Sequence, residues 1–168
     1  MTISPEIRLL TPADAPVYRD IRLEGLKTNP EAFGSTFERE DAMPLSWYSE
    51  RLIKGNVFGA FLDGELVGVA GYWVQEGEKV SHKAALWGMF VRPKARNAGL
   101  GRRLVQAIID HASGLVELLQ LRVESGNQAA QRLYQKMGFS EYGREMKALK
   151  QDGRYFDEIL MMRFLADG

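Results

Sequence analysis

The sequence predicts an α/β domain of the α+β kind: a mixed, mainly antiparallel sheet flanked by helices. Three observations carry that expectation. Asp63-Gly64 and Asp152-Gly153 each stand between strand-like stretches, and Asp-Gly supplies the positive φ angles of a tight type I′ hairpin. Stretches of helical period interrupt the strands at Leu100–Ala112 and again after Asn127. The resulting order, β-α-α-β-β-β-α-β-α-β-β, contains no repeat, low-complexity tract or linker. Residues 1–168 are therefore expected to form a single domain, and 168 residues suffice to bury a core without staples.

Taken in order, Glu6–Leu10 is a short strand ended by Thr11-Pro12, where Thr11 suits a cap and Pro12 a first helical position. The helix that follows carries Val17, Tyr18, Ile21 and Leu26 near helical spacing and should stop before Asn29-Pro30. No period holds from Thr28 to Met43, a segment bearing Phe33 and Phe37, and long aperiodic segments in compact domains are often functional. Its acidic residues Glu38, Glu40 and Asp41 read as a solvated charge run. Pro44–Ile53 is a second helix, Val57–Leu62 and Leu66–Val74 a hairpin, and Ala84–Val91 a third meander strand. After Leu100–Ala112, Ser113-Gly114 is a stop and Val116–Val123 alternates as a strand with one buried face. Asn127 caps a helix with the stripe Ala130, Leu133, Tyr134 and Met137, closed by Gly138, and Met146–Leu149 with Tyr155–Phe164 form the last hairpin.

Composition excludes several classes. The formal net charge is zero and no basic stripe is present, which argues against a nucleic-acid partner. No apolar run approaches the roughly 20 residues of a membrane span, and the first ten residues lack the pattern of a secretory leader, so a cytoplasmic setting is expected. With no cysteine there is no disulfide scaffold, thiolate metal site or acyl-cysteine relay, and His82 and His111 alone make no metal site.

Chemistry concentrates where the strand ending Val91-Arg92-Pro93 meets the helix beginning at Leu100. A helix start leaves backbone N–H groups unpaired and carries partial positive charge, so phosphate oxygens dock there. Gly99 and Gly101 let a ligand approach, and Arg96, Arg102 and Arg103 add charge; equally, the glycines could be turn geometry and the arginines a solvated face. Neither G-x-x-x-x-G-K-[ST] nor G-x-G-x-x-G is present.

The spacing Arg96-x-x-Gly99-x-Gly101 resembles the [QR]-x-x-G-x-[GA] pyrophosphate motif of the GNAT superfamily of acyl-CoA-dependent N-acetyltransferases. Downstream, Asn127, Ala130, Tyr134 and Gly138-Phe139 resemble that family's N-x-x-A-x-x-x-Y-x-x-x-G-F signature. The resemblance implies acetyl-CoA as cosubstrate, no metal, and two central strands, Ala84–Val91 and Val116–Val123, that splay to admit it. Met89, Phe90 and Val91 would pair with the pantetheine arm, while Arg96, Asn97, Ala98, Gly99, Leu100, Gly101 and Arg102 would hold the pyrophosphate. Asn127 and Ala130 would contact the arm or fix the next helix, and Tyr134 would protonate the leaving thiolate. Read from spacing alone, Tyr134 is a core tyrosine and Asn127 a cap.

Without cysteine, direct attack by a free amine on the thioester is the expected route, and the developing oxyanion needs a donor such as a backbone N–H near Phe90 or Val91. Some similar proteins carry a glutamate five residues before the Asn motif; here that residue is Arg122, which leaves the base among Glu124, Glu76, His82 and water. Phe33, Gly34 and Ser35 are the expected acceptor-side residues, since Pro30–Ser35 is similar to loops near the acceptor entrance of related proteins. The acceptor is an amine on a small molecule, an amino acid or a protein, and dimers are common among similar proteins. A non-catalytic acyl-CoA-binding module on the same fold is the alternative that the missing glutamate raises.

Overall fold

In the computed structural model, which describes residues 4–165, both Asp-Gly pairs turn as their type demands. Asp63 and Gly64 take φ 51° and 80°, and Asp152 and Gly153 take 50° and 78°, the left-handed angles of a type I′ turn. The first turn joins β2 (Val57–Leu62) to β3 (Glu65–Val74); the second joins β6 (Ser140–Gln151) to β7 (Arg154–Phe164). With β1 (Glu6–Leu9), β4 (Lys83–Val91) and β5 (Leu118–Glu124) they form one sheet in the order β1-β2-β3-β4-β5-β7-β6. The pairs β1–β2, β2–β3, β5–β7 and β6–β7 are antiparallel and β4–β5 is parallel.

The helices are α1 (Ala15–Thr28), α2 (Phe37–Asp41), α3 (Leu45–Ile53), α4 (Leu100–Ala112) and α5 (Gln128–Lys136). Compared with the sequence-based order, α2 is an additional element. It has five residues, is capped by the Thr36 hydroxyl accepting from the Arg39 amide, and buries Glu40 in place of an apolar residue, so no hydrophobic period marks it. Pro12–Asp14 forms a separate 3-10 turn before α1, and the buried face of α1 is Tyr18, Ile21, Arg22, Gly25 and Leu26, with Val17 turned outward.

β6 extends well beyond Met146–Leu149. It is the edge strand, exposed along most of its length, so nothing enforces alternation in its first half. His111 is exposed, yet its Nδ1 shares a hydrogen bond with the hydroxyl of the buried Tyr72.

The chain divides into two compact units. In the first, up to Gly71 and again over Gly88–Ile108, Tyr18, Ile21, Tyr48, Leu52, Leu104 and Ile108 are at most 1% exposed. Each such aliphatic side chain contributes roughly 1.5–3 kcal/mol by leaving water. In the second, Tyr72–Trp87 with Ile109 onward, Ala84, Leu119, Leu121 and Met161 are the buried centre, the Leu119/Leu121/Val123 alternation supplying one face of β5.

Candidate active site

The loop between β4 and α4 has the backbone its sequence implies. A 3-10 turn at Pro93–Ala95 ends in extended Arg96; Asn97 and Gly99 then take φ 68° and 76°. In a turn of this kind, with left-handed residues set among others, successive N–H groups can face one side, the backbone form of an anion nest. A Cβ at Gly99 would meet no atom within 4 Å, so glycine is required there by its φ and not by crowding. The first backbone bond closing α4 runs from the Arg103 amide to the Gly99 carbonyl, which leaves the Leu100, Gly101 and Arg102 amides as the orphan donors of the first turn. Asn97, Ala98, Gly99 and Arg102 are exposed, while Leu100 anchors the helix at 1% exposure. Arg96 folds back on its own strand: its Nε donates to the Val91 carbonyl at 2.9 Å, its Nη2 to Asn29, and its guanidinium lies 5.8 Å from the Phe90 ring. Arg103 donates to the Pro5 carbonyl.

Along β4 the parallel ladder with β5 comprises three register pairs, Lys83↔Leu118, Ala84↔Leu119 and Ala85↔Gln120. Gly88 takes φ 67°, a left-handed residue inside a strand, and such a residue bends the strand and redirects its N–H and C=O groups. Beyond it Met89 and Val91 are half-buried and Phe90 is buried.

Phe33 is buried as well. A Cβ on Gly25 would come within 3.0 Å of Phe33 Cζ and 3.1 Å of Phe90 Cγ, so glycine in α1 leaves the space that both rings occupy. The Arg22 guanidinium covers the Phe33 ring at 4.9 Å and makes a bidentate pair with Glu40, Nε and Nη2 each 2.9 Å from a carboxylate oxygen. Glu40 is fully buried, which corrects the reading of it as part of a solvated acidic run, while Glu38 and Asp41 are exposed. Burial works to raise the Glu40 carboxyl, but the Arg22 contacts, aided by the Ser35 hydroxyl, outweigh it and leave the carboxyl below the usual range. Gly34 is exposed.

In the second unit Asn127 caps α5, its Oδ1 accepting from the Ala130 amide at 3.1 Å. Gly138, at φ 91°, closes the helix, and Tyr134 is 5% exposed, edge-on to Phe139 at 5.8 Å. Burial pushes the Tyr134 hydroxyl well above the ordinary tyrosine value, so it stays protonated at neutral pH. One Glu124 carboxylate oxygen accepts from the Gly126 amide at 2.9 Å, which holds the turn into α5.

Sequence reasoning missed Glu158. The register sets Glu124, Glu158 and Glu145 side by side on β5, β7 and β6, with Arg122 reaching Glu145 at 2.9 Å and Glu158 at 3.6 Å. Burial, reinforced by the two neighbouring carboxylates, raises the Glu158 carboxyl against the pull of Arg122. Arg22 and Glu40 escaped too. Only the packing of α1 and α2 reveals these residues; no local motif contains them.

Residues 23–139 match the acetyltransferase (GNAT) family. The chain is 29% identical to the N-alpha-acetyltransferase RimI of Mycobacterium tuberculosis over 88% of its own length and 85% of that protein's. It is also 29% identical to the L-amino acid N-acetyltransferase AaaT of Escherichia coli K12, over 82% and 87%. An acetyltransferase of the GNAT family from Streptococcus pneumoniae superposes with a TM-score of 0.85 at 27% identity, covering 97% of this chain and 100% of that one.

Proposed function

The chain belongs to the acetyltransferase (GNAT) family and is an N-acetyltransferase, and from that premise we propose how its residues divide the work. Acetyl-CoA supplies the activated acetyl thioester. The observation that carries the cofactor reading is the Asn97–Gly99 nest opening onto the orphan amides of Leu100, Gly101 and Arg102, a donor set that fits a pyrophosphate. Arg96 braces the loop against β4, and Arg102 adds charge at its mouth. Met89, Phe90 and Val91 offer backbone groups to the pantetheine arm, and an N–H in this stretch serves the oxyanion. Tyr134, by the family resemblance, is the acid that protonates the departing thiolate.

The base is Glu158 in this reading. An amine reaches the thioester only as free base, and a carboxyl raised by burial and by like-charged neighbours accepts that proton more readily than an ordinary one. A base works in its deprotonated form, so kcat/KM should climb with pH through a value above the ordinary carboxylate range and then level off. Glu158→Gln should lower kcat/KM about 100-fold and abolish that limb. A profile unchanged in the variant returns the role to Glu124 or to water.

Asn127 caps and, by the family resemblance, contacts the cofactor arm. Asn127→Ser keeps a capping oxygen, so the melting temperature should hold while acetyl-CoA binds several-fold more weakly; unchanged binding leaves Asn127 a cap only. The acceptor enters beside Phe33, Gly34 and Ser35. The whole reading is tested by thiol release from acetyl-CoA with three probes: a peptide bearing a free N-terminal alanine, a mixture of L-amino acids, and spermidine. Release with at least one supports it; CoA binding with no release across a broad amine library overturns it.

A further inference from the structure

Three segments far apart in sequence meet at one buried ion pair. Arg22 comes from the middle of α1, Glu40 from α2, and Arg22 also approaches β4 at its left-handed residue: a Cβ on Gly88 would stand 3.4 Å from Arg22 Nη1. Nε and Nη2 of Arg22 are both engaged by Glu40, so the guanidinium plane is set and its third corner, Nη1, is directed toward the bend in β4. Glu40 is itself held, since the Tyr48 hydroxyl donates to its backbone carbonyl at 2.6 Å and the Ser35 hydroxyl bonds its carboxylate. Phe33 lies under the same guanidinium, and its ring borders Gly25 of α1 beside the ring of Phe90, the second residue after Gly88.

For stability alone this is an inefficient arrangement. Desolvating a carboxylate and a guanidinium costs several kcal/mol each, and well-packed apolar residues of similar volume often do as well or better. What the pair adds over an apolar contact is direction. A planar fork with both nitrogens of one edge fixed allows its remaining corner a single position, which a methyl or a lysine ammonium would not.

We propose that Arg22 and Glu40 are positioning residues for acetyl transfer: they set the bend of β4 at Gly88, and with it the Met89–Val91 backbone, and they tie that geometry to the Phe33–Ser35 segment on the acceptor side. This rests on the assignment of Met89–Val91 to the cofactor made above. The pair touches neither reacting atom. It links the two substrate-facing segments, so that the strand bearing the oxyanion donor and the loop receiving the amine hold one register.

The test compares Arg22→Lys, Glu40→Gln and the double variant R22M/E40M with the unaltered chain, all well below their melting temperatures and normalised to folded protein. The readouts are kcat with the best of the three amine probes, KM for acetyl-CoA, and amide hydrogen exchange at Met89, Phe90 and Val91 relative to the amides of β5. Each single variant should lose about 10- to 100-fold in kcat, the scale of a misplacement near 1 Å, with KM for acetyl-CoA within about threefold. Exchange at Met89–Val91 should rise while that of β5 holds. The double variant should recover its melting temperature but not its kcat. Recovery of both together, or wild-type kcat in the folded single variants, would overturn the proposal and leave the pair a packing element. Should the unaltered chain release no thiol with any amine, the enzymatic roles fail first, and the exchange comparison alone decides whether the pair shapes β4: unchanged exchange overturns it, raised exchange sustains it.

Discussion

Tyr134→Phe should turn over about 100-fold more slowly than the unaltered chain while binding acetyl-CoA with an affinity within twofold. The ring is 5% exposed and packs edge-on against Phe139, contacts that phenylalanine preserves, so the fold and the α5 surface change little. What disappears is a single hydroxyl. General acid catalysis is worth about 10²- to 10⁴-fold, and losing it lowers kcat without weakening ground-state binding. Steady-state kinetics with varied acetyl-CoA separates the two parameters. Turnover equal to that of the parent would remove Tyr134 from the mechanism and make it the core tyrosine that its place on an apolar stripe also allows.

Gly99→Val should weaken acetyl-CoA binding by about 10- to 100-fold and scarcely move the melting temperature of the free protein. Gly99 sits at φ 76°, where an L-residue costs about 1–2 kcal/mol and a β-branched one more, so the loop would relax toward negative φ and the nest would lose its alignment. A Cβ there meets no protein atom within 4 Å, so overpacking does not add to the effect. Calorimetric titration with CoA measures the loss directly. Unchanged affinity would show that the first turn of α4 is not the phosphate site. The two variants divide the function: one is expected to lose kcat with binding intact, the other to lose binding first.

Legibility from sequence followed the range of the forces involved. Both Asp-Gly turns, the α4 boundaries, the Asn127 cap and the Gly138 stop were readable because each depends on backbone angles and hydrogen bonds within a few residues. The Arg96-x-x-Gly99-x-Gly101 loop was readable for the same reason. α2 was not, because its five residues bury an acid, and the first half of β6 was not, because an edge strand exposed to water needs no alternation.

By itself, then, the sequence determined the order of every element but α2, the family resemblance and the glycine-bearing turn into α4, all local properties of the chain. Tertiary structure alone decided which charges are buried and which ionise abnormally. Glu40 read as one acid in a solvated run and became the partner of Arg22, eighteen positions away. Glu158 read as one strand residue among others and became the raised carboxyl between Glu124 and Glu145. Desolvation and Coulomb interaction depend on distance in space and on the water excluded between groups, and neither is written in the spacing of residues along a chain.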